Sequence, residues 1–450
     1  MTEIVVYDFL CGQGKSTEIM NMMLNNPNEK YCYIAPYLTE CHRFAGTVFD
    51  EKDSRKKPLF VDGSKIMYQY DEEDTLIEKK KQLNFRHPNT RNKDGSKATS
   101  LCSLLSSGYN VVSTHALFTE LGSNALDCAN EYTLVIDETV NIYEIDSSLA
   151  DVKYCLKEDI MYLDEDGITL RFNRKNLGKS AKENGEDSAV GSRYEDLAFQ
   201  CDLGQLLYID GKLVIWELSI DLLKAFKKVI ILTYMFRGSE MYNYFEKKGV
   251  EYTYGKLSRD NVLRSVDVAH LIEVVDDDKL NLVGEYEQSL CASSVKGKSG
   301  GKYLNKEATK KALKNNLHNL FNQRWKCGAN DRMWTSFDDT RTFIANGKYS
   351  KQFLAFNYKA TNDWMGVHHL AFLLNVYMNP MIKRALNSKG LEIDKSVDEQ
   401  YAISTLIQWI FRSAVRVHEP IKLYLPSSRM RNLLERWKQG EFDNEVLENE

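Results

Sequence analysis

The 450-residue chain has no Cys-x-x-Cys pair, and none of its nine cysteines has a histidine at metal-ligand spacing. A zinc site and a disulfide framework are both disfavoured, and scattered free thiols point to a reducing cytoplasm. Long apolar runs are missing too. The longest, near Leu370–Val376, falls far short of the roughly 20 residues that cross a bilayer. The chain enters an apolar stretch at Ile4–Tyr7 with no basic segment and long apolar core before it, so neither a leader nor a membrane role is expected. There is no excess of positive charge: 59 Lys and Arg against 64 Asp and Glu leave a net charge of −5. Any contact with nucleic acid must therefore come from a local basic surface. No short internal repeat or low-complexity tract is present, although the acidic tail Glu441–Glu450 is expected to fray.

The residues that are there suit a folded protein, with 43% apolar and 27% charged, and the chain is too long for one core, which stops growing near roughly 250–300 residues. Short apolar runs recur at Ile4–Tyr7, Tyr31–Ala35, Asn110–Ser113, Thr133–Ile136 and Val229–Leu232. Separated by helical or polar stretches, they predict the parallel sheet of an α/β domain. The polar stretch Asn173–Asp196 reads as an exposed excursion within that domain. A boundary is expected after the helical Ser239–Lys248 segment, near Gly255–Asn261, dividing the chain into residues 1–258 and 259–450. The second half predicts strands at Asp267–Val274, Arg332–Thr335, Phe353–Phe356, His368–Leu374 and Ile421–Leu425, with helices over Lys306–Phe321 and Glu399–Arg416. It is thus a second α/β domain.

Directly after the first strand stand Gly12, Gln13, Gly14, Lys15, Ser16 and Thr17, followed by a helical stretch. Strand, glycine loop, Lys, hydroxyl and helix is the order of a phosphate loop. Backbone N–H groups close around phosphates, Lys15 reaches the β and γ oxygens, and Ser16 offers a hydroxyl to Mg²⁺. The full G-x-x-x-x-G-K-[ST] pattern would place Gly at position 9, where this chain has Phe9; the shorter G-x-G-K-[ST] form is met. Leu134–Glu138 is an apolar strand ending in two carboxylates, of which Asp137 can hold Mg²⁺ and Glu138 can activate a water. An acid pair alone is more often a solvated strand end. With Lys15 upstream in the same sheet, it becomes the other half of an ATP site.

Together these residues resemble superfamily 2 helicases of the DExx-box group, and the wording of the motifs is most similar to compact helicases of tailed bacteriophages. The resemblance implies two tandem RecA-like domains with parallel sheets and an ATP site in the cleft between them. Ile34–Glu40, with Pro36 and Thr39, is similar to motif Ia, and Ser113–Phe118, with Thr114, to the next nucleic-acid contact segment. Ile231–Tyr234 stands in the place of motif III. Ala360, Thr361 and Asn362 with Gly366 are similar to motif V, and Gln408–Arg416 to motif VI. Gln408, Arg412 and Arg416, at i, i+4 and i+8, would share one helix face, and an arginine directed at the γ-phosphate stabilises transition-state charge. The family spacing Q-x-x-G-R-x-x-R is altered, because Phe411 replaces the Gly and the second Arg comes one residue later. Arg416 is the expected finger, with Arg412 on a phosphate or an acidic partner. The box reads Asp-Glu-Thr-Val, and no Q motif fits before the first strand, which argues against the DEAD-box RNA subgroup.

The implied function is an ATP- and Mg²⁺-dependent helicase or translocase, working as a monomer with room for a protein partner. Single-stranded or forked DNA is the favoured track and RNA the alternative. The backbone contacts are expected from Pro36, Thr39, Thr114, Thr361 and Asn362. Two basic regions, Lys79–Lys81 with Arg86–Lys97 and Lys296–Lys326, are candidate strand-binding faces, the first favoured over the second, with solvated surface as the alternative. Two other readings stand beside this one. The first is a viral DNA-packaging motor, which needs a nuclease built on clustered carboxylates; Asp338, Asp339 and Asp363 form no convincing triad. The second is a nucleic-acid-binding module with a silent ATP site.

Overall fold

In a computed structural model, the described residues are all but 1, 46–64, 67–68, 71–75, 79–82, 89–95, 122–127, 174, 177–193, 260, 293–305, 358–362, 389–394 and 444–450. The apolar runs of the first half become β1 (Glu3–Asp8), β2 (Lys30–Ala35), β3 (Asn110–Thr114), β4 (Tyr132–Asp137) and β5 (Lys228–Thr233). Their interiors are buried on both faces, as in Tyr31–Ala35 and Tyr132–Ile136, which explains why the runs are continuously apolar rather than alternating. Among the described residues they form an eight-stranded sheet. Its order is Thr253–Tyr254, β1, β5, β4, β2, β3, Asn84–Arg86 and Lys65–Ile66, parallel except for the last strand.

This order brings the carboxyl ends of the central strands together. Asp8 pairs with Thr233, Leu232 with Asp137, Ile34 with Ile136, and Ala35 with Thr114. Open parallel sheets present their ligand sites at that end, where the loops gather.

The second half builds β6 (Ile272–Val274), β7 (Arg332–Thr335), β8 (His369–Phe372) and β9 (Ile421–Tyr424) in the order β6, β9, β8, β7, all parallel. The α/β class with two parallel sheets is therefore as read from the sequence. Two expected strands differ. Ser265–Val268 is helical and only Ile272–Val274 extends, and Phe353–Phe356 contributes one bridge, Trp334 to Phe353. The excursion Asn173–Asp196 lies mostly outside the described residues. Around it, however, the chain between β4 and β5 builds a lobe with an antiparallel sheet of Leu206–Ile209, Leu213–Glu217 and Tyr143–Asp146. Its apolar side chains, among them Ile142, Val152, Leu206 and Ile215, belong to the same core as β1 and β4. The carboxylate of Glu217, buried in this lobe, pairs with Lys247 at 2.5 Å and Lys248 at 2.7 Å on the helix that follows β5.

α1 (Lys15–Asn25) buries Ile19, Met20, Met23 and Leu24 against the first sheet. α2 (Leu38–Ala45) follows β2. α3 (Lys395–Ile410) is apolar on most of its circumference, burying Ala402, Ile403, Leu406, Ile407, Trp409 and Ile410, as a helix enclosed between two layers must be. Tyr401 on this helix packs against the first core, while Leu10, Tyr234 and Met235 of the first half enter the second core. At this joint a Cβ on Gly238 would lie 2.6 Å from the carbonyl oxygen of Gln400 on α3. The turn after β5 can approach the helix only because residue 238 has no side chain.

Candidate nucleotide site at the phosphate loop

β1 delivers the loop Phe9–Gly14 to the start of α1. Gly14 is the N-cap at φ +76° and Gly12 has φ +84°, conformations that cost an ordinary residue about 1–2 kcal/mol. The helix N-terminus leaves its first backbone N–H groups without intrahelical partners, ready for an anion. The Lys15 ammonium donates to the carbonyls of Phe9 at 2.6 Å and Leu10 at 3.2 Å, folded back over the loop and able to exchange those oxygens for phosphate. The Gln13 side chain is buried, and its Oε1 accepts the N–H of Leu263 at 3.1 Å. That oxygen is therefore committed to the segment joining the two sheets.

Asp137 and Glu138 stand at the end of β4, two strands from β1. Burial, and then the neighbouring Glu138 carboxylate, push the Asp137 carboxyl up to about 6, so a cation that neutralises this pair would be welcome. The Asp137 carbonyl is bonded by His115 Nε2 at 2.9 Å, a structural use of the histidine. Glu138 is left-handed at φ +65°, held by its N–H to the Leu232 carbonyl at 2.8 Å. A non-glycine residue in that region is strained, and such strain gathers at functional positions.

From the second half come the arginines. They do not share a helix face with Gln408, because α3 ends at Ile410. There the Arg412 and Ser413 N–H groups bond three residues back, and the Ser413 hydroxyl donates to the Ile410 carbonyl at 2.6 Å, a side-chain competition that ends helices. Arg416 then lies on the short 3₁₀ turn Ala414–Val417. The tertiary path still brings them to the loop. A Cβ on Gly12 would lie 3.5 Å from Arg416 Cγ. Burial, and then the Glu138 carboxylate, push the Cys11 thiol up, while Lys15, Arg412 and Arg416 pull it down, so that all four charges act on one loop residue. Arg412 is 4% exposed and, among the described residues, its Nε has no partner; a buried guanidinium nitrogen without an acceptor is costly until an anion meets it. Gln408 donates to the Tyr234 carbonyl at 3.4 Å, touching the segment after β5 rather than the loop.

Of the expected nucleic-acid contacts, Pro36 follows the β2 residue that pairs with Thr114, so the two stand side by side at the carboxyl edge. Thr39 is exposed on α2, not in a loop. Thr114 caps the helix His115–Thr119, its hydroxyl accepting the Leu117 N–H at 3.3 Å. Thr361 and Asn362 lie outside the described residues, as do Lys79–Lys81 and residues 89–95 and 296–305 of the two basic regions. In the described part, Lys310 pairs with Glu307 and Arg324 with Asp277. Among the described residues no group of three metal-capable side chains occurs, and no helix is long and apolar enough to cross a membrane.

Sequence reasoning missed Arg259, whose guanidinium lies against Gly14. It sits in a polar connecting stretch with no motif to mark it.

With this geometry in place, the family model of the YonV C-terminal Rossmann-like domain matches residues 266–438. The chain is 27% identical to the SPbeta prophage-derived uncharacterized protein YonV of Bacillus subtilis (strain 168), over 98% of this chain and 100% of that protein. Among solved structures it is similar to S. tokodaii Xpd4, with 12% identity, a TM-score of 0.47 and coverage of 96% of this chain and 93% of that one. A structure of apo XPD gives 11% identity, a TM-score of 0.41 and coverage of 98% and 95%.

Proposed function

We propose that the chain is an ATP-dependent nucleic-acid helicase or translocase, with residues 1–258 and 259–450 as two RecA-like domains closing on Mg²⁺-ATP. The observation that carries it is that Arg416, from the second half, packs on Gly12 of the loop, while Arg412, whose buried Nε has no partner among the described residues, acts on Cys11 of the same loop. A turn that only joined β1 to α1 would have no use for a buried guanidinium nitrogen without an acceptor. The residues present fit the triphosphate and its metal. The backbone of Gly12–Thr17 and Lys15 would hold phosphates, and Ser16 with Asp137 would hold Mg²⁺, which neutralises charge on the β and γ oxygens. Glu138 would orient and deprotonate the attacking water. Arg416, with Arg412, would stabilise the charge that develops as the terminal phosphate leaves.

Because these arginines and the loop belong to different domains, binding and release of nucleotide would change the relation between them. Pro36, Thr39 and Thr114, with Thr361 and Asn362, would contact a phosphate backbone on the carboxyl face, DNA being the favoured track. The prophage origin of the relative supports a phage-encoded protein working in the host cytoplasm.

The test is ATP hydrolysis by the wild type and Lys15→Ala, with single-stranded DNA, duplex DNA or RNA at low salt. Stimulation by one polymer, lost in the variant, is the expected result. Hydrolysis indifferent to every polymer would remove the nucleic-acid function and keep the ATPase; an inert wild type would overturn both.

A further inference from the structure

The connection between the two sheets carries a cation, Arg259, that no group among the described residues neutralises. On either side of residue 260 this connection is fastened to Gln13 of the loop and to Glu18 of α1. The Leu263 N–H donates to Gln13 Oε1 at 3.1 Å, and the Ser258 hydroxyl donates to Glu18 Oε1 at 2.5 Å. Arg259 lies between these ties. A Cβ on Gly14 would stand 2.3 Å from Arg259 Nη2 and 3.3 Å from Cζ, so the guanidinium fills the space that any side chain at position 14 would need. Glycine is required there for its left-handed backbone, and its lack of a side chain leaves room for this approach.

Arg259 is half-buried and, among the described residues, has neither a hydrogen bond nor an ion pair. Lys15 and Arg416 stand at the same short loop. Like charges gathered in a partly desolvated place repel one another, and the arrangement becomes favourable only when a polyanion enters it. A fork of N–H donors is the side chain best matched to phosphate oxygens.

We propose that Arg259 is a phosphate-binding residue of the nucleotide site, supplied by the connecting segment and directed at the polyphosphate of a nucleoside triphosphate. This rests on the nucleotide site proposed above. Since the same segment is tied to Gln13 and Glu18, a phosphate held by Arg259 acts directly on the joint between the two halves. Occupancy of the site is thereby transmitted to the chain that sets their relation.

The experiment is a titration of the full chain with a fluorescent ATP analogue, with unlabelled ATP and ADP as competitors, for the wild type, Lys15→Ala, Arg259→Ala and Arg259→Lys. Loss of a charged hydrogen-bonding group predicts ATP affinity weaker by about tenfold or more in Arg259→Ala, with KM for ATP rising more than kcat falls. Arg259→Lys recovers part of that loss, because the charge returns without the fork. The melting temperature of nucleotide-free Arg259→Ala is expected to hold or rise, because repulsion is relieved; a merely structural arginine would lower it. ATP affinity in Arg259→Ala within about twofold of wild type, with the wild type binding ATP in a Lys15-dependent way, overturns the role of Arg259 alone. A wild type that binds no nucleotide overturns the site itself and this role with it.

Discussion

The indole N–H of Trp437 donates to the hydroxyl of Tyr234 at 2.6 Å, a buried hydrogen bond between residues 203 positions apart. Tyr234 follows β5, in the segment that stands in the place of motif III, and Trp437 is on the last described helix, Ser428–Lys438. The carbonyl of the same tyrosine takes Gln408. One residue of the first half is therefore held by two elements of the second. Tyr234→Phe strands the indole N–H and is expected to destabilise the protein by about 1–3 kcal/mol, measured by urea unfolding. A double-mutant cycle with Trp437→Phe is expected to show that the two losses are not additive.

Removing the second-half arginines addresses the chemistry. Arg416→Ala is expected to lower kcat by on the order of a hundredfold or more, with ATP affinity changing far less, as when a transition-state contact is lost. Steady-state phosphate release beside nucleotide titration separates the two quantities. Arg412→Ala is expected to lower turnover too, and full turnover in both variants would leave the two-domain ATPase without support.

The strained backbone at Glu138 separates activity from stability. Glu138→Gln keeps the shape and is expected to bind ATP while losing hydrolysis. Glu138→Gly is also expected to lose hydrolysis, yet to gain up to about 1 kcal/mol in thermal unfolding, because glycine adopts φ +65° without strain.

Acid sensitivity is expected from His87, whose pKa is lowered to about 4, chiefly by burial and then by His42 and Lys97. Its ring meets that of His42 edge-on at 5.4 Å. A histidine depressed in the folded state contributes stability above its unfolded value near 6.5. That contribution is lost as pH falls from there towards about 4, as the unfolded chain takes up the proton first. His87→Phe is expected to flatten the dependence of the melting temperature over that interval.

Much of the candidate site in the first half could be proposed from the sequence because its signals are local. The alternation of apolar runs with glycine, Lys15 and Ser16, or with Asp137 and Glu138, follows from what a buried strand and a phosphate loop each require of consecutive residues. The second-half strands were harder. Ile272–Val274 and His369–Phe372 are short, and Phe353–Phe356 is apolar because it packs on Trp334 with a single bridge. Apolar content alone cannot tell a strand from a buried connection. The lobe between β4 and β5 was passed over because its strands are short and antiparallel, and their pairing links residues about 70 positions apart, as Trp216 with Glu144.

The sequence by itself determined the order of elements, the α/β class and the identity of the residues that could handle a phosphate, because strand burial and loop conformation depend on neighbours in the chain. Only the tertiary structure decided which arginines reach the loop. Spacing put Gln408, Arg412 and Arg416 on one helix face, but Ser413 ends the helix, and the turn beyond it carries Arg416 to Gly12 while Gln408 stays on Tyr234. Arg259 left no trace in any pattern, since its place against Gly14 depends on how the connecting segment is tied to Gln13 and Glu18 across roughly 240 positions. Contacts of that range are set by packing of the whole, which no local periodicity records.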